Sequence, residues 1–120
     1  MHIKLKELSC IDLSEDQLPD DPECCNIPMD AFIGPNDEPG ADKFSFSVVT
    51  PNWLLENPEV RWGNGYLIVH AFTWQETRRM LKRLISHVSA TTWEEAAKKL
   101  SNYLEWEFQN YQPHSSSQNH

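Results

Sequence analysis

Arginine is missing from the first 59 residues, and only three lysines stand there against thirteen carboxylates, a net of −10. The remaining residues carry seven basic against five acidic side chains, so one half of the chain supplies the whole net charge of −8. A field of that sign repels nucleic acid and attracts basic partners, and it speeds encounter more than it adds affinity. Long apolar runs are also missing, since none approaches the ~20 residues of a membrane span. The N-terminus Met-His-Ile-Lys-Leu-Lys-Glu-Leu is alternating and charged and does not read as a signal peptide. Cysteine is scarce and odd in number, with Cys24 and Cys25 adjacent and Cys10 alone. Without a Cys-x-x-Cys spacing these read as reduced thiols, and a cytoplasmic protein is expected. His2, His70, His87, His114 and His120 are scattered away from carboxylates and thiols, so no metal site is expected. A Gly-rich phosphate loop, Gly-x-Ser-x-Gly, His-Glu-x-x-His and zinc-finger spacing are all absent, and no catalytic residue or cofactor is assigned.

What is present fits one domain. A chain of 120 residues buries roughly two thirds of its unfolded surface, enough for a core without staples. We expect a single domain over residues 1–112 and a polar tail over 113–120. His2–Leu8 alternates as a half-buried strand, and Met29–Ile33 reads as a second ending at Gly34-Pro35. Asn36–Gly40 is dense in turn residues. Lys43–Thr50 is the clearest strand, with Phe44, Phe46 and Val48 on one side, and Pro51 stops it. Tyr66–Phe72 reads as a near-continuous apolar strand. Two helices follow, each opened by a capping box, Thr73 with Glu76 and Thr92 with Glu95. The first carries Thr77, Met80, Leu81, Leu84, Ile85 and Val88 on one stripe. The second carries Trp93, Ala96, Ala97, Leu100, Leu104, Phe108 and Tyr111 until Pro113. The expected fold is α+β: an antiparallel sheet of about four strands with two C-terminal helices packed on one face.

Few side chains point to chemistry. Glu105 and Glu107 would lie on nearly opposite faces of the second helix, a poor acid/base pair. Asp20-Asp21 and Asp37-Glu38 do not fit a calcium loop. Arg78, Arg79, Lys82 and Arg83 lie opposite the apolar stripe with no interleaved aromatics, the pattern of solvated charge rather than nucleic-acid binding. Trp106 falls about 120° from the Leu100–Leu104–Phe108 line of a helix. Two readings stay open for it, an aromatic interface anchor or a cover for the edge of the first helix.

The order of motifs is specific. Phe-Ile-Gly-Pro (32–35) and Gly40 precede Phe-Ser-Phe-Ser-Val-Val-Thr-Pro-Asn-Trp-Leu (44–54). Tyr-Leu-Ile-Val-His-Ala-Phe (66–72), Trp-Glu-Glu (93–95), Leu-Glu-Trp-Glu-Phe (104–108) and Tyr111 follow. From about Ile3 to Tyr111 the chain resembles the Immunity protein 8 family, small bacterial proteins encoded beside polymorphic or contact-dependent toxins. The resemblance implies a protein, not an enzyme, that binds the toxic C-terminal domain of a cognate effector inside the cell. Such toxins are often nucleases with basic active sites. Trp53, Trp93, Trp106 and residues 44–51 read as scaffold on this resemblance. The acidic loops lie outside the family's pattern, so their role follows from charge alone: Asp16, Asp20, Asp21, Glu23, Asp37, Glu38 and Asp42 are the candidate toxin-binding residues. The expected partner is a basic toxin domain, with no nucleic acid or membrane, and the chain is expected to be a monomer or weak homodimer. The rival reading is a general interaction module or assembly adaptor without a toxin partner.

Overall fold

Alternation in the first half of the chain becomes a meander of three long strands. A computed structural model of the chain describes residues 1–59, 61 and 63–109. Strands β1 (Ile3–Ser9), β2 (Asn26–Pro35) and β3 (Asp42–Val49) pair antiparallel in that order. Ile27, Met29, Ala31 and Ile33 of β2 and Phe44, Phe46 and Val48 of β3 are buried on one face. β1 adds Ile3, Leu5 and Leu8 to the same core. It does so through a register shift between Leu5 and Glu7, which leaves Lys6 as the extra residue of a bulge. Without that extra residue Leu8 would point to solvent, because side chains alternate with period two. β2 runs past the expected Met29–Ile33 despite Pro28. The reason is positional: β1 pairs only with Asp30–Pro35, so Pro28 has an unpaired side on which its missing N–H costs nothing. At the other end the hairpin folds so closely over Gly34 that a Cβ there would strike the Gly40 carbonyl oxygen.

The outer edge of β3 is shared by two short strands. β4 (Tyr66–Ile68) pairs with Ser47–Val49 in parallel, and β5 (Glu105–Trp106) pairs antiparallel with Phe44 and Ser45. The α+β layout holds, with a mixed sheet, because the chain reaches β4 by a crossover through α1 (Pro51–Glu56) rather than by a hairpin. The strand expected over Tyr66–Phe72 is shorter than read. The Val69 N–H still donates to the Val49 carbonyl at 2.9 Å, but beyond it the backbone leaves the ladder, and the Phe72 N–H donates to the Pro22 carbonyl at 2.8 Å while its ring enters the core.

Both helix starts are where the capping residues put them. In α2 (Trp74–Ser86) the Thr73 hydroxyl accepts from the Glu76 N–H at 3.0 Å, and Trp74, Thr77, Leu81 and Ile85 are buried. In α3 (Trp93–Leu100) Thr92 accepts from the Glu95 N–H at 3.2 Å. The reciprocal half of each box differs from the expectation. Glu76 pairs with Arg79 at 3.2 Å, and Glu95 accepts from the backbone and hydroxyl of Thr91 instead of from Thr92.

The second helix is the main correction. It ends at Leu100, and the chain turns through Ser101–Leu104 into β5 instead of continuing to Tyr111. Leu104 and Phe108 satisfy a helical period, yet an open strand edge at Phe44–Ser45 competes for the same residues. Pairing satisfies backbone groups that would otherwise be left unpaired beside the core. The burial of Trp106 against Phe44, with ring centroids 6.3 Å apart and nearly parallel, favours the same outcome. Tyr111, Pro113 and the tail expected over 113–120 lie outside the described residues.

Candidate partner-binding surface

The acidic residues collect at opposite ends of the sheet. Asp16, Asp20, Asp21 and Glu23 lie in the β1–β2 connection, beside the start of β2, and all are exposed. Asp37 and Glu38 lie in the β2–β3 hairpin, at the far end of the same strand, and are exposed as well. β2 is ten residues long, so at roughly 3.3 Å per residue the two groups are about 30 Å apart. They do not form a single cluster. One standard-sized interface, about 800 Å² on each partner, reaches both only if it spreads along the strands.

Each group is held by local structure. In the β1–β2 connection the Gln17 carbonyl accepts from the Trp74 indole at 2.8 Å, and Glu15 meets Arg78 at 3.4 Å, which ties the loop to α2. Asp16 takes a left-handed φ of 67° there, a conformation that aspartate tolerates in turns. The Glu23 carbonyl accepts from the Asn52 amide at 3.2 Å, and the Thr50 hydroxyl accepts from the Cys25 N–H at 3.1 Å and caps α1. In the hairpin the Lys6 ammonium donates to the carbonyls of Glu38 and Gly40. The bulge residue of β1 therefore braces the loop without touching its carboxylates. Among the described residues no ion pair engages Asp16, Asp20, Asp21, Glu23, Asp37 or Glu38.

Asp42 stands apart from these six. It opens β3 opposite Ile33, on the face that carries the core. Its Oδ2 accepts from the Trp93 indole at 2.9 Å and the Trp106 indole at 3.0 Å. Trp93 meets Phe44 edge-on at 6.1 Å, so two tryptophans and one carboxylate close this end of the core. The sequence reading placed Asp42 on a loop and Trp106 on a helix. The structure makes the aspartate a clamp between α3 and β5, and Trp106 covers β3 rather than the edge of α2.

Among the described residues no group of three His, Cys, Asp or Glu could hold a metal ion, and no helix is long and apolar enough to cross a membrane. Burial pushes the Cys25 thiol up, with Asp21 adding to it, and desolvation with the Glu56 carboxylate raises Cys24. Thiols so shifted are weak nucleophiles. A groove of about 460 Å³ between α2 and the turn after α3 is lined by Tyr66, Met80, Leu84, Tyr103 and Leu104, with exposed Arg83 and His87 beside them. Among the described residues it holds no carboxylate.

Comparison with known proteins supplies the family. A family model described as Immunity protein 8 matches residues 3–111. The chain belongs to the Immunity protein 8 family. Membership makes it an immunity protein, and such a protein binds a cognate toxin. No curated protein and no solved structure matches the chain. In this Immunity protein 8 member the residues that carried the resemblance are chiefly core. Phe44, Phe46 and Val48 are buried, Trp93 and Trp106 pack against them, and Thr50 caps a helix.

Sequence reading missed one row of side chains altogether. Asp30, Ser45 and Glu105 are register partners across β2, β3 and β5, on the face opposite the core. The alternation of β2 and β3 assigns Asp30 and Ser45 to that face. Glu105 joins them only because β5 replaces the end of a helix.

Proposed function

We propose that this immunity protein neutralises its toxin by stoichiometric occlusion in the cytoplasm, and that the toxin is a nuclease domain with a basic surface. The observation that carries the proposal is the set of six exposed carboxylates, Asp16, Asp20, Asp21, Glu23, Asp37 and Glu38, which have no ion-pair partner among the described residues. Unpaired carboxylates on a chain of net charge −8 project a field that steers a cationic partner. Those that come to rest against toxin arginines or lysines form charge-assisted hydrogen bonds. Steered association reaches ~10⁸ M⁻¹s⁻¹ or more at low salt, and fast capture matters because one escaped enzyme turns over many substrates. Asp42 is left out of the set because its Oδ2 already serves two indoles.

The test is protection. The C-terminal domain of the effector encoded beside this gene is expressed in cells with and without the chain. Rescue of growth, together with co-purification of a one-to-one complex, is the expected result. Growth arrest in both strains would remove the proposal. Nucleic-acid cleavage by the purified domain, lost on adding the chain, is the expected sign of a nuclease.

A further inference from the structure

Among the described residues, no layer covers one face of the sheet. Along β2 and β3 every second residue is buried, while their neighbours Pro28, Asp30, Ser45 and Ser47 are exposed or half-exposed. Small side chains on β3 make this face concave. Ser45 and Ser47 floor a groove of about 270 Å³, walled by Asp30, Glu105, Tyr66 and Ile11. That volume lies below the ~300–1,000 Å³ of small-molecule pockets and suits one long side chain of a protein partner. Asp30 and Glu105 stand on strands either side of Ser45, so their backbones are about 10 Å apart at the usual strand spacing. The Ser45 hydroxyl donates to one oxygen of Asp30 at 2.8 Å, leaving the second oxygen to accept. The Glu105 carboxylate has no hydrogen bond or ion pair among the described residues. Among the described residues no lysine, arginine or histidine lines the groove.

From this geometry we infer that the open sheet face is the toxin-docking surface, and that the Asp30–Ser45–Glu105 groove receives an arginine or lysine side chain of the toxin. The inference rests on the proposed immunity function and locates its centre. The groove's charge is complementary to a basic partner, whereas the larger groove beside α2 bears Arg83 and His87 and no carboxylate. Position argues the same way. Asp30 is midway along β2, between the acidic connection at one end and the acidic hairpin at the other. A partner centred there reaches both groups at its rim, the arrangement in which a desolvated anchor dominates and charged edges steer. Ile11, 92% exposed at the lip of the groove, gives the partner apolar area beside the carboxylates. A guanidinium between the walls donates to both carboxylates, having five N–H groups to share.

The test compares three full-length forms by surface plasmon resonance against the inactivated toxin domain encoded next door. They are the unaltered chain, Asp30→Asn with Glu105→Gln, and Ser47→Arg, which carries its own guanidinium into the groove. Circular dichroism and thermal melting confirm that each form is folded. The double variant is expected to weaken binding roughly 30-fold or more, the scale of a hot spot, mainly through faster dissociation. Ser47→Arg is expected to do the same by occupying the groove. Tight binding by the unaltered chain with neither variant weakened would overturn the groove alone. Absence of binding by the unaltered chain would overturn the immunity reading and the groove with it.

Discussion

Replacing Asp42 separates a structural carboxylate from a steering one. The side chain accepts two indole hydrogen bonds, at 2.9 Å from Trp93 and 3.0 Å from Trp106. Hydrogen bonds to carboxylates contribute about 1.5–3 kcal/mol each, and an orphaned donor adds its own desolvation cost. The site is half-buried, so the lower end of that range applies to each bond. Asp42→Ala is therefore expected to lose about 3 kcal/mol, a large part of the ~5–15 kcal/mol that holds a domain together. Asp42→Asn keeps one acceptor oxygen and is expected to lose roughly half as much. Urea unfolding, followed by tryptophan fluorescence, reads the change as a lower midpoint at constant slope. In thermal melts the Ala variant falls by ~10 °C. Asp20→Asn, exposed and without an ion-pair partner, is the control and stays within about 0.5 kcal/mol. Because the tryptophans act through the same carboxylate, adding Trp106→Phe to Asp42→Ala costs less than in the unaltered chain. Equal stability of Asp42→Ala and Asp20→Asn would refute the clamp. Unchanged stability with lost toxin affinity would return Asp42 to the interface.

Three further perturbations test neighbouring parts of the fold. Phe44 is fully buried between Trp93 and Trp106, so Phe44→Ala is expected to cost about 3–5 kcal/mol, measured by the same urea titration. Glu95 is held below the ordinary carboxylate range by the Thr91 backbone and hydroxyl bonds, with Lys99 helping. A lowered folded-state value means that its contribution is complete above the unfolded value and is lost as pH falls through the folded one. Glu95→Gln should therefore flatten the acid limb of the melting temperature below about pH 4.5, and an unchanged limb would contradict the contact. Cys24 and Cys25, both raised by burial and nearby carboxylates, should alkylate more slowly at pH 7 than a free thiol of the same exposure. Mass spectrometry of iodoacetamide adducts on the native chain provides the check.

The parts of this fold that were legible in the sequence share one property: their signal is local. Phe44, Phe46 and Val48 alternate, Thr73 and Thr92 precede helices, and Pro51 follows a strand, so each element could be read from neighbours in sequence. What escaped depends on contacts between distant segments. Residues 104–108 carry a helical spacing of apolar side chains, and only the vacant edge of β3 turns them into β5. Once that strand forms, Trp106 reaches Asp42, 64 positions away, and Glu105 reaches the row of Asp30 and Ser45. The parallel pairing of β4 is another long-range outcome, set by a crossover rather than a turn. The acid residues were visible as charge, but charge gives no position. The structure parts them to the two ends of β2, and the proposed docking face lies between them.

The proposed mechanism turns on an acidic surface capturing a basic toxin. Stopped-flow association of the full chain with its cognate toxin domain, at ionic strengths from about 50 to 500 mM, is the decisive measurement, because screening shortens the reach of the field several-fold across that range. Electrostatic capture makes the association rate fall ~10-fold or more as salt rises, with a shallower dependence when Asp20, Asp21, Asp37 and Glu38 are neutralised together. A salt-independent rate, unchanged by those four substitutions, would contradict it.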